Sequence, residues 1–386
     1  MSPHRITVVA LGVLALLVVV LAATLDTRGG TAPGATAPPF SSPPPTPAPP
    51  AEPRTYTAVE AGRAFLAGYV DDDGRVVRTD QGGDTVSEGQ AYAMLVAVGL
   101  GDAETFDAVW TWTRENLQRR DGLLSWRWDD GEVVDASAAS DADLDAARAL
   151  VLAGEAFGRP DHTSAGLELG QAVLDLETVQ TAAGRILTAG QWAMSEPYPY
   201  NPSYASPGAT AELAATSGDP RWTELAEGSR TVTAALLSQA PLPPDWAQVH
   251  ADGTVEAMPV VQGRGQSVRY GYDAARTPIR FAESCDPADR ALAATAAGPL
   301  DRGGDTAELD LGGSPVAQAE SVVAAVGQAA AVAAAGDTSR AVEELVDADH
   351  LAQTAPNYYG PAWAALGRLM LTDDVLGGCP PIPVAS

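Results

Sequence analysis

Three short stretches carry the residue types that acid–base chemistry requires. The first is Ser87-Glu88-Gly89-Gln90, followed by the apolar run Ala91 to Gly99. Ser followed three residues later by Gln reads as a capping box, which sets Glu88 in the first turn of a helix. A carboxyl there, beside a glycine that permits close approach, is placed to meet a ligand. Helix electrostatics alone would also favour an acid at that position. The second stretch is Ser140-Asp141-Ala142-Asp143-Leu144-Asp145, opening another helix with a second capping-box pattern from Ser140 to Asp143. Asp141 and Asp145 fall on one face, a repulsion better tolerated when something binds the carboxylates; a solvated acidic helix entry is the other reading. The third is Arg269-Tyr270-Gly271-Tyr272-Asp273-Ala274-Ala275-Arg276-Thr277-Pro278. Thr277-Pro278 reads as a cap and first helical position, so Asp273 stands on the approach to that helix. A carboxylate among arginines stays ionised, which suits a base, although the same spacing makes a structural Asp–Arg pair.

The elements that must position these groups are helical. Apolar spacing of three and four recurs over 59–70, 91–99, 106–117, 144–157, 167–179, 209–215, 222–237, 279–282 with 292–297, 316–335, 341–345 and 363–371, which makes eleven or twelve helices. Gly and Pro clusters separate them, and only 185–192 and 249–261 look strand-like. Irregular helix pairs with long acidic and aromatic connections suggest a closed toroid that carries its site on loops.

Aromatic residues sort by context. Trp110 and Trp363 lie inside periodic helices and read as core. Trp126 and Trp128 lie beside Asp129-Asp130-Gly131, and Trp246 follows Pro243-Pro244-Asp245, in loop-like sequence. An amphipathic indole there matches a sugar ring, with its apolar C–H faces and polar edges.

Composition bounds the remainder. Acidic residues outnumber basic ones 50 to 23, a net charge of -27, with no basic run, which argues against a nucleic-acid ligand. Apolar residues form 46% of the 386, enough for a large core from Tyr56 onward. Ile6–Leu25 is an apolar run reaching roughly 30 Å, and reads as a signal anchor or signal peptide over 1–26. Either reading puts the rest of the chain outside the cytoplasm. Ten prolines fall between Pro33 and Pro53, so 27–55 reads as an extended tether of about 80 Å. In an oxidising compartment Cys285 and Cys379 are expected to pair, and with four scattered histidines they offer no metal-ligand spacing; no metal or other cofactor is expected.

Taken together, seven motifs resemble successive landmarks of glycoside hydrolase family 8. They are Ser87–Met94, Phe106-Asp107 with Trp110, Leu124-Ser125-Trp126, Ala139–Asp143 continuing to Phe157, Asn201–Tyr204, Pro244-Asp245-Trp246 and Tyr272–Arg276. They occur in the family's order and cover Tyr56 to Leu371, so 56–386 reads as one catalytic domain. The resemblance implies an all-α (α/α)6 barrel and an inverting, endo-acting hydrolase of a β-1,4-linked glycan, cellulose or another β-glucan. Residue by residue it implies Glu88 as general acid, Asp273 as general base and Asp141 as the carboxylate that holds the distorted sugar. Trp126, Trp128, Tyr204, Trp246, Tyr272 and Arg276 are the expected substrate contacts. Ala91, Ala93 and Ala146 depart from the family pattern, the first two narrowing the approach to Glu88. Inversion requires a proton on Glu88 at working pH, so Glu88 is expected largely buried near Asp141 and Asp273 ionised beside an arginine. A monomer acting on β-glucan is expected. Two other classes stay open: a non-catalytic glycan-binding or cellulose-synthase-associated protein, and a polysaccharide lyase, against which the paired carboxylates speak.

Overall fold

The structure, a computed structural model, describes residues 54–261, 265, 267–355 and 357–383. The Ile6–Leu25 run and nearly all of the proline-rich segment lie outside the described residues. Thirteen α-helices occur among them. In chain order they are α1 (Ala58–Tyr69), α2 (Ser87–Gly99), α3 (Ala103–Asn116), α4 (Ser140–Ala156), α5 (Pro160–Leu176), α6 (Pro207–Ser217) and α7 (Arg221–Gln239). Then come α8 (Arg276–Ala282), α9 (Pro287–Thr295), α10 (Ala297–Gly303), α11 (Val322–Ala334), α12 (Thr338–Thr354) and α13 (Tyr359–Thr372).

Six of these close a ring. Each of α2, α4, α6, α8, α11 and α13 packs on the next, and α13 returns to α2. Six others, α1, α3, α5, α7, α9 and α12, pack outside it, which gives the (α/α)6 barrel, and the short α10 packs on α9 and α11. Sequence explains which helices go inside. From Val322 to Ala333 every residue of α11 is buried, as expected of a helix apolar all round. Small residues let inner helices touch: a Cβ on Gly367 of α13 would stand 2.2 Å from Val326 Cγ1 on α11. Outer helices keep one wet face; α12 buries Ala341, Leu345, Ala348 and Ala352 at spacings of three and four.

The inside of the ring also holds charge. Asp141, Asp145 and Arg148 of α4 pair with Arg276, Arg280 and Glu283 at matching steps of four and three residues along α8. The two helices flank α6, and the three pairs form a ladder in which every side chain is buried. All 23 basic residues of the chain are arginine, whose planar fork suits bidentate pairing in a dry interior. Tyr92 and Trp363 fill the space beside the ladder, with ring centroids 5.4 Å apart.

Short antiparallel strands trim the loops. β1 (Thr85–Val86) pairs with β2 (Arg127–Asp129), which pairs with β3 (Glu132–Asp135). β4 (Thr178–Thr181) pairs with β5 (Gly184–Leu187), and β6 (Tyr198–Tyr200), β7 (Ala247–Val249) and β8 (Val255–Ala257) form a third sheet. Parts of β5, β7 and β8 fall in the two expected stretches. The others, two to four residues each, are too short to show a period of two. The expected helix over 316–335 starts later, at Val322, and α10 has no counterpart in the periodic pattern.

Cys285 and Cys379 form a disulfide with a Cα separation of 4.8 Å. It fastens the C-terminal tail beyond the end of α8, where the Cys379 N–H donates to the Glu283 carbonyl at 2.8 Å. Among the described residues no helix is long and apolar enough to cross a membrane.

Candidate active site

Glu88 lies in the first turn of α2, but the expected capping box does not form. Ser87 is already helical, Val86 precedes it in extended conformation, and no side chain caps the end. Gln90 instead turns into the protein, where its Oε1 accepts the Val76 N–H at 2.6 Å and its Nε2 donates to Thr113 Oγ1 at 2.8 Å. A buried amide that finds distant partners for both ends has no reason to reach back to the cap. The close approach that Gly89 permits is made by Tyr358, whose hydroxyl would stand 2.8 Å from a Cβ there. Glu88 Oε1 accepts the indole N–H of Trp126 at 3.1 Å. Burial, then the nearby Asp141 charge, push the Glu88 carboxyl up to about 7, against the pull of its hydrogen bonds and of Arg276. Glu88 is largely buried, as expected, and keeps a part of its surface open where it lines the cleft.

The second capping box also gives way to tertiary contacts. Ser140 Oγ donates to the Thr188 carbonyl at 2.5 Å, and Asp143 Oδ1 accepts the Leu124 N–H at 2.8 Å. Asp141 and Asp145 do not make a solvated helix entry; each is buried against an arginine of α8. Arg276 Nη1 donates to Asp141 Oδ2 at 2.9 Å and to the Tyr92 hydroxyl at 3.1 Å. Burial holds the Asp141 carboxyl above its usual range, with Arg276 drawing it back. Deeper in, Asp143 Oδ2 is buried with no hydrogen-bond partner among the described residues, and burial raises both Asp143 and Glu177 well above the ordinary carboxyl range, against the pull of the Leu124 and Gln191 backbone N–H groups. Burial of this kind favours the protonated form of both groups.

Asp273 stands on the turn into α8, three residues before its first residue. Thr277 lies inside that helix and does not cap it; its hydroxyl is buried without a partner among the described residues. Arg276 Nη2 donates to Asp273 Oδ1 at 2.6 Å, so one guanidinium joins Asp141 and Asp273. The Asp273 side chain keeps 34% exposure, and among the described residues its Oδ2 accepts no hydrogen bond. A fourth carboxyl stands beside it. Asp245 accepts two backbone N–H groups of the same turn, and burial, reinforced by the Asp273 charge, raises it to about 7. Sequence reasoning noted Asp245 only as part of a motif; its neighbours lie about thirty residues away, and nothing local signals them.

These groups meet in a cleft with two adjoining lobes of about 340 and 280 Å³. Glu88, Tyr204, Tyr272 and Asp273 line both lobes, which marks the junction. Helices α2 and α8 hold opposite places in the ring's packing order; Glu88 lies in the first turn of α2 and Asp273 just before α8, and among the described residues no hydrogen bond joins their carboxyls. Trp126, Trp192 and Trp246 add aromatic surface to the first lobe, and Arg276, Tyr358 and Tyr359 line the second. Tyr204 meets Trp246 edge-on at 6.0 Å, with the Arg276 guanidinium 5.4 Å from its ring centre. Trp128 does not line the cleft. It packs edge-on against Trp112 at 5.3 Å, with Arg75 over its ring at 5.1 Å. A regular strand would put residues two apart on one face, but the β2–β3 register shifts between Arg127 and Trp128, and the two indoles part there. Trp110 and Trp363 are in the core.

The family model for Glycosyl hydrolases family 8 matches residues 57–370. A probable endoglucanase of Novacetimonas hansenii is 36% identical over 239 residues, which are 60% of this chain and 68% of that protein. An endoglucanase of Escherichia coli (strain K12) is 32% identical over 206 residues, half of this chain and only 55% of the relative's length. Among solved structures, the endo-beta-1,4-glucanase CMCax from Acetobacter xylinum superposes with a TM-score of 0.68 at 28% identity, covering 81% of this chain and 97% of that one.

Proposed function

The chain belongs to glycosyl hydrolase family 8, and from that premise we propose that it cuts internal β-1,4 bonds of a β-glucan with inversion at the anomeric carbon. Glu88 is the general acid: its proton passes to the glycosidic oxygen as the C1–O bond breaks. A water molecule attacks C1 from the opposite face, and Asp273 takes the proton it releases. Atoms balance, with water divided between the new C1 hydroxyl and the carboxylate, and the product leaves as the α-anomer. Asp141 and Tyr204 hold the sugar at the junction, and Arg276 fixes Asp141 against Asp273. Trp126, Trp246 and Tyr272 supply faces for neighbouring sugar rings.

One observation carries this reading above the others. A carboxyl that burial raises to about 7 lines the same cleft as a carboxylate tied to Arg276, one from the start of α2 and the other from the turn into α8, which hold opposite places in the ring's packing order. Cellulose or a related β-glucan is favoured by the names of the relatives. The domain works as a monomer beyond the cytoplasmic membrane, anchored or released through the Ile6–Leu25 run, which lies outside the described residues; cell fractionation tests this.

Reducing-end release from carboxymethylcellulose, lichenan, xylan and chitosan, compared side by side, identifies the glycan. Glu88→Gln should lower turnover by about 10²–10⁴-fold with the fold intact. Proton NMR of the first product should show the α-anomer. A β-anomer, or turnover retained in the Gln variant, would sink the assignment.

A further inference from the structure

We propose that Asp245 is a positioning residue for the base: it clamps the turn from Gly271 to Ala274 so that Asp273 presents its unbonded oxygen to the cleft. The inference rests on Asp273 acting as base and adds a part to that machinery. A single oxygen, Asp245 Oδ1, accepts the Gly271 N–H at 2.8 Å and the Ala274 N–H at 2.9 Å. These are the first and last residues of the four-residue turn in which Asp273 is third. The residue after the turn closes it: the Ala275 N–H donates to the Gly271 carbonyl at 3.0 Å. Asp273 is therefore held from two directions, its backbone by Asp245 and its carboxylate by Arg276 at 2.6 Å.

The sequence is shaped to admit this clamp. A Cβ at position 271 would stand 2.6 Å from Asp245 Oδ2, so any other residue there would make the carboxyl or the turn shift. Asp245 is itself anchored: its N–H donates to the Arg269 carbonyl at 2.8 Å, and Oδ2 lies 3.6 Å from Arg269 Nε, which belongs to a side chain held by Glu308. Trp246, next in the chain, lines the same lobe. The segment thus sets both an aromatic wall and the base. The Asp245 side chain is only 17% exposed, and burial also raises its carboxyl to about 7, which strengthens the case for hydrogen bonding and not net charge as its contribution.

The test measures kcat and KM on soluble β-glucan, with thermal midpoints, for the wild type and for Asp273→Asn, Asp245→Ala, Asp245→Asn and Gly271→Ala. Asp245→Ala should lower kcat by about 30-fold or more, as expected when a reacting group drifts by around an ångström, with KM changed by less than about 3-fold. Asp245→Asn, whose amide oxygen can accept the same two N–H groups, should recover at least about ten-fold of that loss. Gly271→Ala should reproduce the loss from the other side of the contact, and it decides the matter if Asp245→Ala does not fold. Unaltered kcat in Asp245→Ala or Gly271→Ala overturns the clamp, as does a loss confined to KM or a failure of Asn to rescue. Full turnover by Asp273→Asn overturns the base assignment and this inference with it; a dead Asp273→Asn beside a normal Asp245→Ala overturns the clamp alone.

Discussion

The indole N–H of Trp126 donates to Oε1 of Glu88 at 3.1 Å, so a residue that lines the first lobe of the cleft is also in electrical contact with the proposed acid. A donor of this kind favours the ionised carboxyl. The proposed mechanism needs Glu88 protonated, so activity should be lost as pH rises through its pKa of about 7. Trp126→Phe removes the donor, keeps an aromatic face and disfavours the charge. The alkaline limb of kcat/KM should therefore move to higher pH, which a pH–rate profile on carboxymethylcellulose would read; a limb that stays or moves down contradicts the contact's role.

Arg280 and Asp145 form the middle pair of the buried ladder and lie one helical turn below Arg276 and Asp141. Arg280→Met should cost about 3–5 kcal/mol, because it strands a desolvated carboxylate, and Asp145→Leu in the same chain should restore most of the loss. Urea denaturation of the two variants checks this. A single variant within about 1 kcal/mol of wild type would show that water reaches the ladder.

Asp143 and Glu177 make stability depend on pH with a particular sign. Their folded-state pKa values are raised, so the folded protein binds more protons than the unfolded chain once pH exceeds the ordinary carboxyl value near 4. The stabilisation is complete below that value and is lost as pH rises towards the folded-state pKa values. Glu177→Gln, which stays neutral, should flatten the fall of the thermal midpoint across the neutral range. Parallel curves for the two proteins would refute it.

The disulfide bears on stability and not on chemistry. Cys285 and Cys379 are 94 positions apart, so replacing both by Ser should cost roughly 4–5 kcal/mol on the loop-entropy account. Asp273 and Arg276 lie at the opposite end of α8 from Cys285, and kcat should stay within about two-fold at temperatures where the variant is folded. A ten-fold fall in kcat would mean that the tail transmits strain along α8.

Much of the scaffold was legible in the residues. The long apolar helices announce themselves because burial repeats every three or four positions, and the glycine and proline clusters fall where they stop. Boundaries suffered where helices end in tertiary contacts: Ser87 and Ser140 look like caps but are already inside their helices. Trp126 and Trp128 look alike in sequence, yet two residues apart one lines the cleft and the other packs on Trp112.

By itself the sequence determined which stretches are helical, the family landmarks and the three carboxyls Glu88, Asp141 and Asp273 as candidates, since all of these rest on residue type and short-range spacing. Only the tertiary structure decided what each polar side chain meets: Gln90 with Val76 and Thr113, Asp143 with Leu124, Asp145 with Arg280, Asp245 with the Gly271–Ala274 turn. A buried polar group must find a partner, but local sequence does not say from which segment. Closing the ring brings those segments together, and with them the neighbours that raise the Glu88 carboxyl and tie Asp273 to Arg276.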